Sequence, residues 1–146
     1  MMQHNDTHKS DYTVIVGCGR VGAGIAGALS EENRSVLVLD KSRASFRKLP
    51  PSFSGLTLEG EGTDLEKLRA AELDRATTLI CATNDDNANI MIALLAKKIF
   101  HVKKVIARLY DPERECTYHE FDVDTICPAL LSVKTIENML KDGERL

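Results

Sequence analysis

The stretch Val14-Ile15-Val16-Gly17-Cys18-Gly19-Arg20-Val21-Gly22 constrains the fold more than any other part of the chain. A short β-branched run leads directly into G-x-G-x-x-G, and a helix-forming segment, Ala23 to Glu31, follows. A second strand-like run, Ser35 to Leu39, ends on Asp40. An acid about 20 residues beyond the glycines completes a dinucleotide-binding fingerprint. Each position has a physical task. Gly17 allows the tight turn out of the strand, Gly19 lets backbone approach a pyrophosphate, and Gly22 lets the helix pack closely on the strand. The helix N-terminus presents unpaired N–H groups and a positive dipole end to phosphate. Asp40 is placed to accept hydrogen bonds from a ribose 2′-OH. A domain that kept this turn and lost its ligand would show the same residues.

From Tyr12 onward, strand-like and helix-like segments alternate. Strands are expected at 12–17, 35–40, 55–59, 77–82, 103–108 and 123–127, and helices at 20–31, 42–48, 64–71, 86–100, 112–120 and 128–141. Strict alternation implies right-handed βαβ units and a parallel sheet. The expected fold is therefore α/β, a Rossmann-like three-layer sandwich of a six-stranded parallel sheet with helices on both faces. The runs Val36-Leu37-Val38-Leu39 and Thr78-Leu79-Ile80-Cys81 suit strands buried on both faces. Thr63 or Asp64 suits the N-cap of the third helix, and Asp85 or Asp86 that of the fourth. Asp111-Pro112 and Pro128 open the last two helices, and Pro50-Pro51 marks a rigid turn. Residues 1–10 read as a disordered tail, 11–141 as a single nucleotide-binding domain and 142–146 as a C-terminal tail. Leu130, Leu131, Val133, Ile136 and Leu140 make the last helix more apolar than one buried stripe requires. It either packs on another subunit or covers an exposed sheet edge.

Composition narrows the function classes. A net charge of −3 over 146 residues, with no basic block or aromatic platform, gives no case for nucleic acid. The longest apolar run, Ile90 to Ala96, is far too short to cross a bilayer, so no direct membrane insertion is expected. The polar first ten residues do not resemble a signal peptide, and a cytoplasmic location is expected. Cys18, Cys81, Cys116 and Cys127 form no C-x-x-C pair and match no zinc spacing. Reduced thiols are expected. Cys18 lies in the turn at a helix N-terminus, a position that favours a thiolate, but a small residue tolerated between two glycines is the preferred reading over a redox role. His4 and His8 have helical spacing but no apolar periodicity around them, and no metal site is expected.

Several residues carry candidate chemistry. Arg20 sits in the first turn of a helix, where a cation opposes the dipole. A bound phosphate removes that objection, and a guanidinium grips phosphate through its fork of donors. Ligands of open α/β sheets lie beyond the carboxyl ends of the strands. That places Glu61, Gly62 and Thr63 after the third strand, Ala82, Thr83 and Asn84 after the fourth, and Arg108 at the end of the fifth beside the site. Ordinary loop, cap and salt-bridge roles compete at each position. Cys18 and Val21 belong to the turn itself. Asp40 disfavours a 2′-phosphate, although the neighbouring Lys41 and Arg43 soften that repulsion. Asp85 and Asp86 are adjacent and suit capping better than acid/base work. No G-x-S-x-G, Walker lysine or Cys/His arrangement appears, and the nucleotide fold consumes the length. Binding is the expected function. The alternatives are the cofactor domain of an NAD-dependent dehydrogenase and a scaffold with a vestigial site.

Together these elements resemble the N-terminal ligand-binding domain of the regulators of K⁺ conductance, the RCK-N, TrkA-N or KTN domain. The resemblance runs from about Tyr12 to Leu140. It rests on Gly17-Cys18-Gly19-Arg20-Val21-Gly22, Asp40, Glu61 to Asp64, Ala82-Thr83-Asn84-Asp85, Ile106-Ala107-Arg108 with Pro112-Glu113, and Val123 to Pro128. It implies a cytosolic regulatory subunit that binds NAD(H) or an adenine nucleotide (ATP, ADP or AMP). Such a subunit assembles as a homodimer or larger ring and gates a membrane K⁺ channel or transporter. By position, Gly17, Gly19, Arg20 and Gly22 would face phosphates, Asp40 would hold the adenosine ribose, and Thr83 would line the pocket. Glu61 stands where the family commonly has aspartate, beside the adenine. The family's usual second ligand domain is absent from the sequence, as expected of either a stand-alone subunit or a fragment.

Overall fold

The computed structural model describes residues 11–144. Six parallel strands form one sheet in the order β3-β2-β1-β4-β5-β6. They are β1 (Tyr12–Val16), β2 (Ser35–Asp40), β3 (Leu56–Glu59), β4 (Thr78–Cys81), β5 (Lys104–Arg108) and β6 (Asp124–Ile126). The helices are α1 (Arg20–Glu31), α2 (Leu65–Ala70), α3 (Asp86–Lys98), α4 (Glu115–His119) and α5 (Pro128–Glu144). The strand order reverses between β1 and β4, which opens a crevice at their carboxyl ends.

Side-chain alternation divides the core in two. Val14, Val16, Leu37, Leu39, Leu79 and Val105 face α2 and α3, where they meet Leu68, Ile92, Ala93 and Ala96. Ile15, Val36 and Val38 face α1. That helix buries Gly22, Ala23, Ala26 and Gly27, small residues that bring it close to the sheet. Beyond α1, the same side of the sheet is thinly covered. Ile80 and Ile106 are only half-buried and Ile126 is exposed.

The expected elements are present, with differences at their ends. Residues 42–48, expected as a helix, form a 3-10 turn from Arg43 to Lys48. The segment buries no residue and runs into Pro50-Pro51, so nothing extends it into an α-helix. Residues 112–120 divide into a 3-10 turn, Pro112–Arg114, and the short α4. A further 3-10 turn, Leu73–Arg75, had no expected counterpart. The caps resolve to Asp64 and Asp85, whose carboxylates accept from Glu66 N and from Asn87 N and Ala88 N respectively. Asp86 does not cap its own helix. Its carboxylate accepts from Tyr110 N at 2.8 Å and Asp111 N at 3.0 Å, and so ties α3 to the segment after β5.

The last helix differs most. It continues to Glu144, so residues 142–144 are helix and not tail. Residues 129 to 143 are all exposed, so α5 covers neither edge of the sheet. The expected tail at 1–10, with His4 and His8, lies outside the described residues, as do 145–146.

Candidate functional site

A cleft of about 630 Å³ occupies the crevice between β1 and β4. Its floor is the glycine turn. Gly17 has φ +107°, and its amide donates to Leu39 O at 2.8 Å. A Cβ on Gly17 would lie 2.7 Å from the Ala82 carbonyl, so only glycine lets β1 turn this close to the end of β4. A Cβ on Gly19 would meet nothing within 4 Å. Gly19 is the N-cap of α1 and supplies no side-chain cap. The first N–H groups of α1 are thus left for a ligand. Gly22 has a different role from its turn neighbours. It does not line the cleft, and a Cβ there would sit 1.9 Å from Gly17 O, so it is a packing glycine.

The other sequence-derived candidates converge. Cys18, Gly19, Arg20, Val21, Asp40, Lys41, Glu61, Gly62, Thr63, Ala82, Thr83, Asn84 and Arg108 all line the cleft with Gly17. Asp40 ends β2 beside the turn. Its Oδ2 accepts from Cys18 N and its Oδ1 from Ser42 N, each at 2.7 Å. Gly62 packs where a Cβ would meet Val16 and Ile92, which draws the loop after β3 over the crevice. Arg20 is exposed at the rim with no protein partner among the described residues, and Arg108 donates from Nη1 to Asn84 Oδ1 at 3.3 Å. The Nε of Arg108 is buried and has no hydrogen-bond partner among the described residues. An orphaned buried donor carries a desolvation cost that a ligand acceptor relieves.

Two expectations change at this site. Cys18 is 1% exposed, and burial is the main cause that pushes its thiol up from its ordinary value, with the Asp40 carboxylate adding to the effect. The Lys48 ammonium acts the other way and does not prevail. Burial thus works against the thiolate that a helix N-terminus favours. Ser42, Ser45 and Lys48 also line the cleft and were not singled out in the sequence. The signal was available: they follow Asp40 directly, on the turn that leaves β2.

Asn89 was missed as well. It is fully buried, one of the few buried polar side chains described, and lies in the first turn of α3 behind Thr83. Only its location on a helix that starts at the cleft hinted at a role. Among the described residues, no group of His, Cys, Asp and Glu is arranged to hold a metal ion.

The cleft joins the glycine turn, with Arg20 and Lys48 near it, to a carboxylate and Lys41 at the end of β2 and to Arg108 at the end of β5. That donor set fits a nucleotide: amides and cations for phosphate, an acceptor for ribose.

Comparisons with known proteins agree with this geometry. The Trk system potassium uptake protein TrkA of Streptomyces coelicolor is 39% identical over 115 residues, which are 79% of this chain and 52% of that protein. The chain thus spans about half the length of that curated relative. Among solved structures, the TrkA-N domain of the inner membrane protein ybaL from Escherichia coli superposes with a TM-score of 0.80 at 20% identity, covering 90% of this chain and 97% of that one. The GsuK channel bound to NAD gives 0.79 at 23% identity over 96% of this chain and 25% of that one. GsuK bound to ADP gives 0.78 at 24% over 94% and 35%. At these identities the structural matches establish the fold. The family model described as the TrkA-N domain matches residues 13–128, and the chain belongs to that family.

Proposed function

We propose that residues 11–141 form a nucleotide-binding regulatory domain of a K⁺ uptake or K⁺ channel system, with NAD(H) or an adenine nucleotide (ATP, ADP or AMP) as ligand. The observation that carries the reading is the placement of the glycine turn, Asp40 and Arg108 on one cleft at the switch point of the sheet. In it, Gly17, Gly19 and the N-terminus of α1 receive phosphate, with Arg20 and Lys48 at the rim. Asp40 takes the ribose, Glu61 to Thr63 flank the base, and Thr83, Asn84 and Arg108 meet whatever lies beyond the phosphates. The NAD and ADP complexes of GsuK support both ligand classes. The regulatory reading is preferred to a dehydrogenase cofactor domain because the curated relative is named for potassium uptake.

The proposed partner is a membrane K⁺ channel or transporter subunit, with this domain held at the cytoplasmic face through it. No helix among the described residues is long and apolar enough to cross a membrane. Self-association into a dimer or ring is supported by two apolar surfaces that the described residues leave exposed or only partly covered: the stripe Leu130, Val133, Ile136 and Leu140 on α5, and the Ile80–Ile106–Ile126 side of the sheet. Regulation then follows as a population shift, in which a ligand favours the assembly geometry it binds more tightly.

Calorimetry with NADH, NAD⁺, ATP, ADP and AMP tests the reading, together with mass spectrometry of any small molecule released when the purified protein is denatured. Saturable binding of at least one nucleotide is expected. Binding of none, with no copurifying nucleotide, refutes the proposal and leaves a scaffold with a vestigial site.

A further inference from the structure

Asn89 is a fully buried amide between the ends of two strands. The β4–β5 ladder ends with Cys81 beside Ala107. Just beyond it, Asn89 Oδ1 accepts from Thr83 N at 3.2 Å and from Thr83 Oγ1 at 2.6 Å. Its Nδ2 donates to Thr83 O at 3.2 Å and to Arg108 O at 3.0 Å. A primary amide has two acceptor sites and two N–H bonds, and all four are used. The side chain therefore serves as an extra rung where the sheet's own rungs stop. A carboxylate at the same place has no N–H for the two carbonyls, and an apolar side chain satisfies none of the four groups.

The residues held by this rung are both cleft residues. Thr83 follows β4, and Arg108 carries the buried Nε that has no partner among the described residues. The phosphate turn has separate anchors, Gly17 N to Leu39 O at 2.8 Å and Cys18 N to Asp40 Oδ2 at 2.7 Å. The cleft thus has two halves with different hydrogen-bond anchors, which touch where Gly17 packs on Ala82 and Thr83: the glycine turn with Asp40, and the β4–β5 ends with Asn89. In this kind of sheet the adenosine and pyrophosphate lie over the first half, and the rest of a dinucleotide crosses the switch point to the second.

We propose that Asn89 is a positioning residue for the β4–β5 half of the cleft. It sets Thr83 and Arg108 to receive the part of a ligand that extends beyond the phosphates. This rests on the nucleotide-binding reading and adds to it a residue that touches no ligand yet separates long ligands from short ones. AMP, confined to the first half, does not depend on Asn89; NADH, which spans both, does.

The test is calorimetry of the full chain with NADH and AMP, on the wild type, Asn89→Ala and Arg108→Met. Both variants are expected to weaken NADH by about tenfold or more, the scale of a lost hydrogen bond to a charged group, while AMP affinity changes by less than about threefold. Equal losses for both ligands, or no loss for NADH, overturn the proposal. A wild-type measurement covers the case in which Asn89→Ala does not fold: NADH, and not AMP, shifts the side-chain amide resonances of Asn89 in nitrogen-15 NMR. Unshifted resonances under saturating NADH, or equal shifts with AMP, also overturn it. A wild type that binds neither nucleotide is a distinct result, and refutes the nucleotide reading itself.

Discussion

Cys18 and Asp40 are joined across the end of the sheet: the Cys18 amide donates to Asp40 Oδ2 at 2.7 Å. The acid at the end of β2 is therefore part of the glycine turn as well as a candidate ribose acceptor. Its other oxygen fixes Ser42 N at 2.7 Å, at the start of the segment that carries Ser45 and Lys48 to the cleft. Lone pairs remain on both oxygens for a ligand hydroxyl.

Asp40→Ala removes the acceptor for two backbone amides and, in the proposed reading, for the ribose. We expect nucleotide affinity to fall by about tenfold or more, with a loss of stability of about 1–3 kcal/mol for the amide left buried without a partner. Calorimetry reads the first effect and urea denaturation the second. Unchanged nucleotide affinity would sink the ribose assignment.

The two glycines of the turn should separate folding from binding. Gly17→Ala places a methyl 2.7 Å from the Ala82 carbonyl at φ +107°, and is expected to destabilise the fold by about 2 kcal/mol or more. Gly19→Ala meets no protein atom within 4 Å, so its melting temperature should stay near that of the wild type while nucleotide binding weakens. Thermal melts with and without NADH or ADP distinguish the pair. A Gly19→Ala protein that binds normally would show that phosphate does not approach this backbone.

Cys18 should behave as a buried thiol. Alkylation by iodoacetamide at neutral pH is expected at the exposed Cys116, with Cys18, Cys81 and Cys127 protected until the protein unfolds. The pH dependence follows from the direction of the shift. The folded state holds the Cys18 proton above the ordinary value of 9.0. Its contribution is therefore complete below that value and is lost as pH rises through the folded pKa. The stability difference between wild type and Cys18→Ala should change only above about pH 9, the unfolded thiol's range. Rapid labelling of Cys18 at neutral pH contradicts this.

Ile136→Asp tests the uncovered surface of α5. Ile136 is 56% exposed, so the monomer should fold and melt as before. Any dimer or ring seen by light scattering of the wild type should dissociate, because a carboxylate in an apolar interface costs several kcal/mol unless paired. An unchanged assembly would place the contact elsewhere.

Where the physics is local, the sequence is a sufficient guide. The alternation of strands and helices is legible because strands buried on both faces leave continuous apolar runs, as in Val36 to Leu39. Asp85, Asp64 and the Asp111-Pro112 pair are legible because capping acts within three residues. The type of the short segments at 42–48 and 112–120 is not legible. Such short pieces carry little helical cooperativity, and their form depends on what they pack against.

The sequence by itself determined the parallel α/β fold, the glycine turn and the position of Asp40, because turn geometry, strand burial and motif spacing are set by neighbouring residues. The tertiary structure alone decided which groups share an environment. It placed Asn89 between Thr83 and Arg108, turned Asp86 toward Tyr110 and Asp111, buried the Cys18 thiol and left α5 exposed. These depend on crossovers that bring together residues distant in the chain. An amide on the first turn of an apolar helix becomes meaningful only when the end of the next strand is beside it.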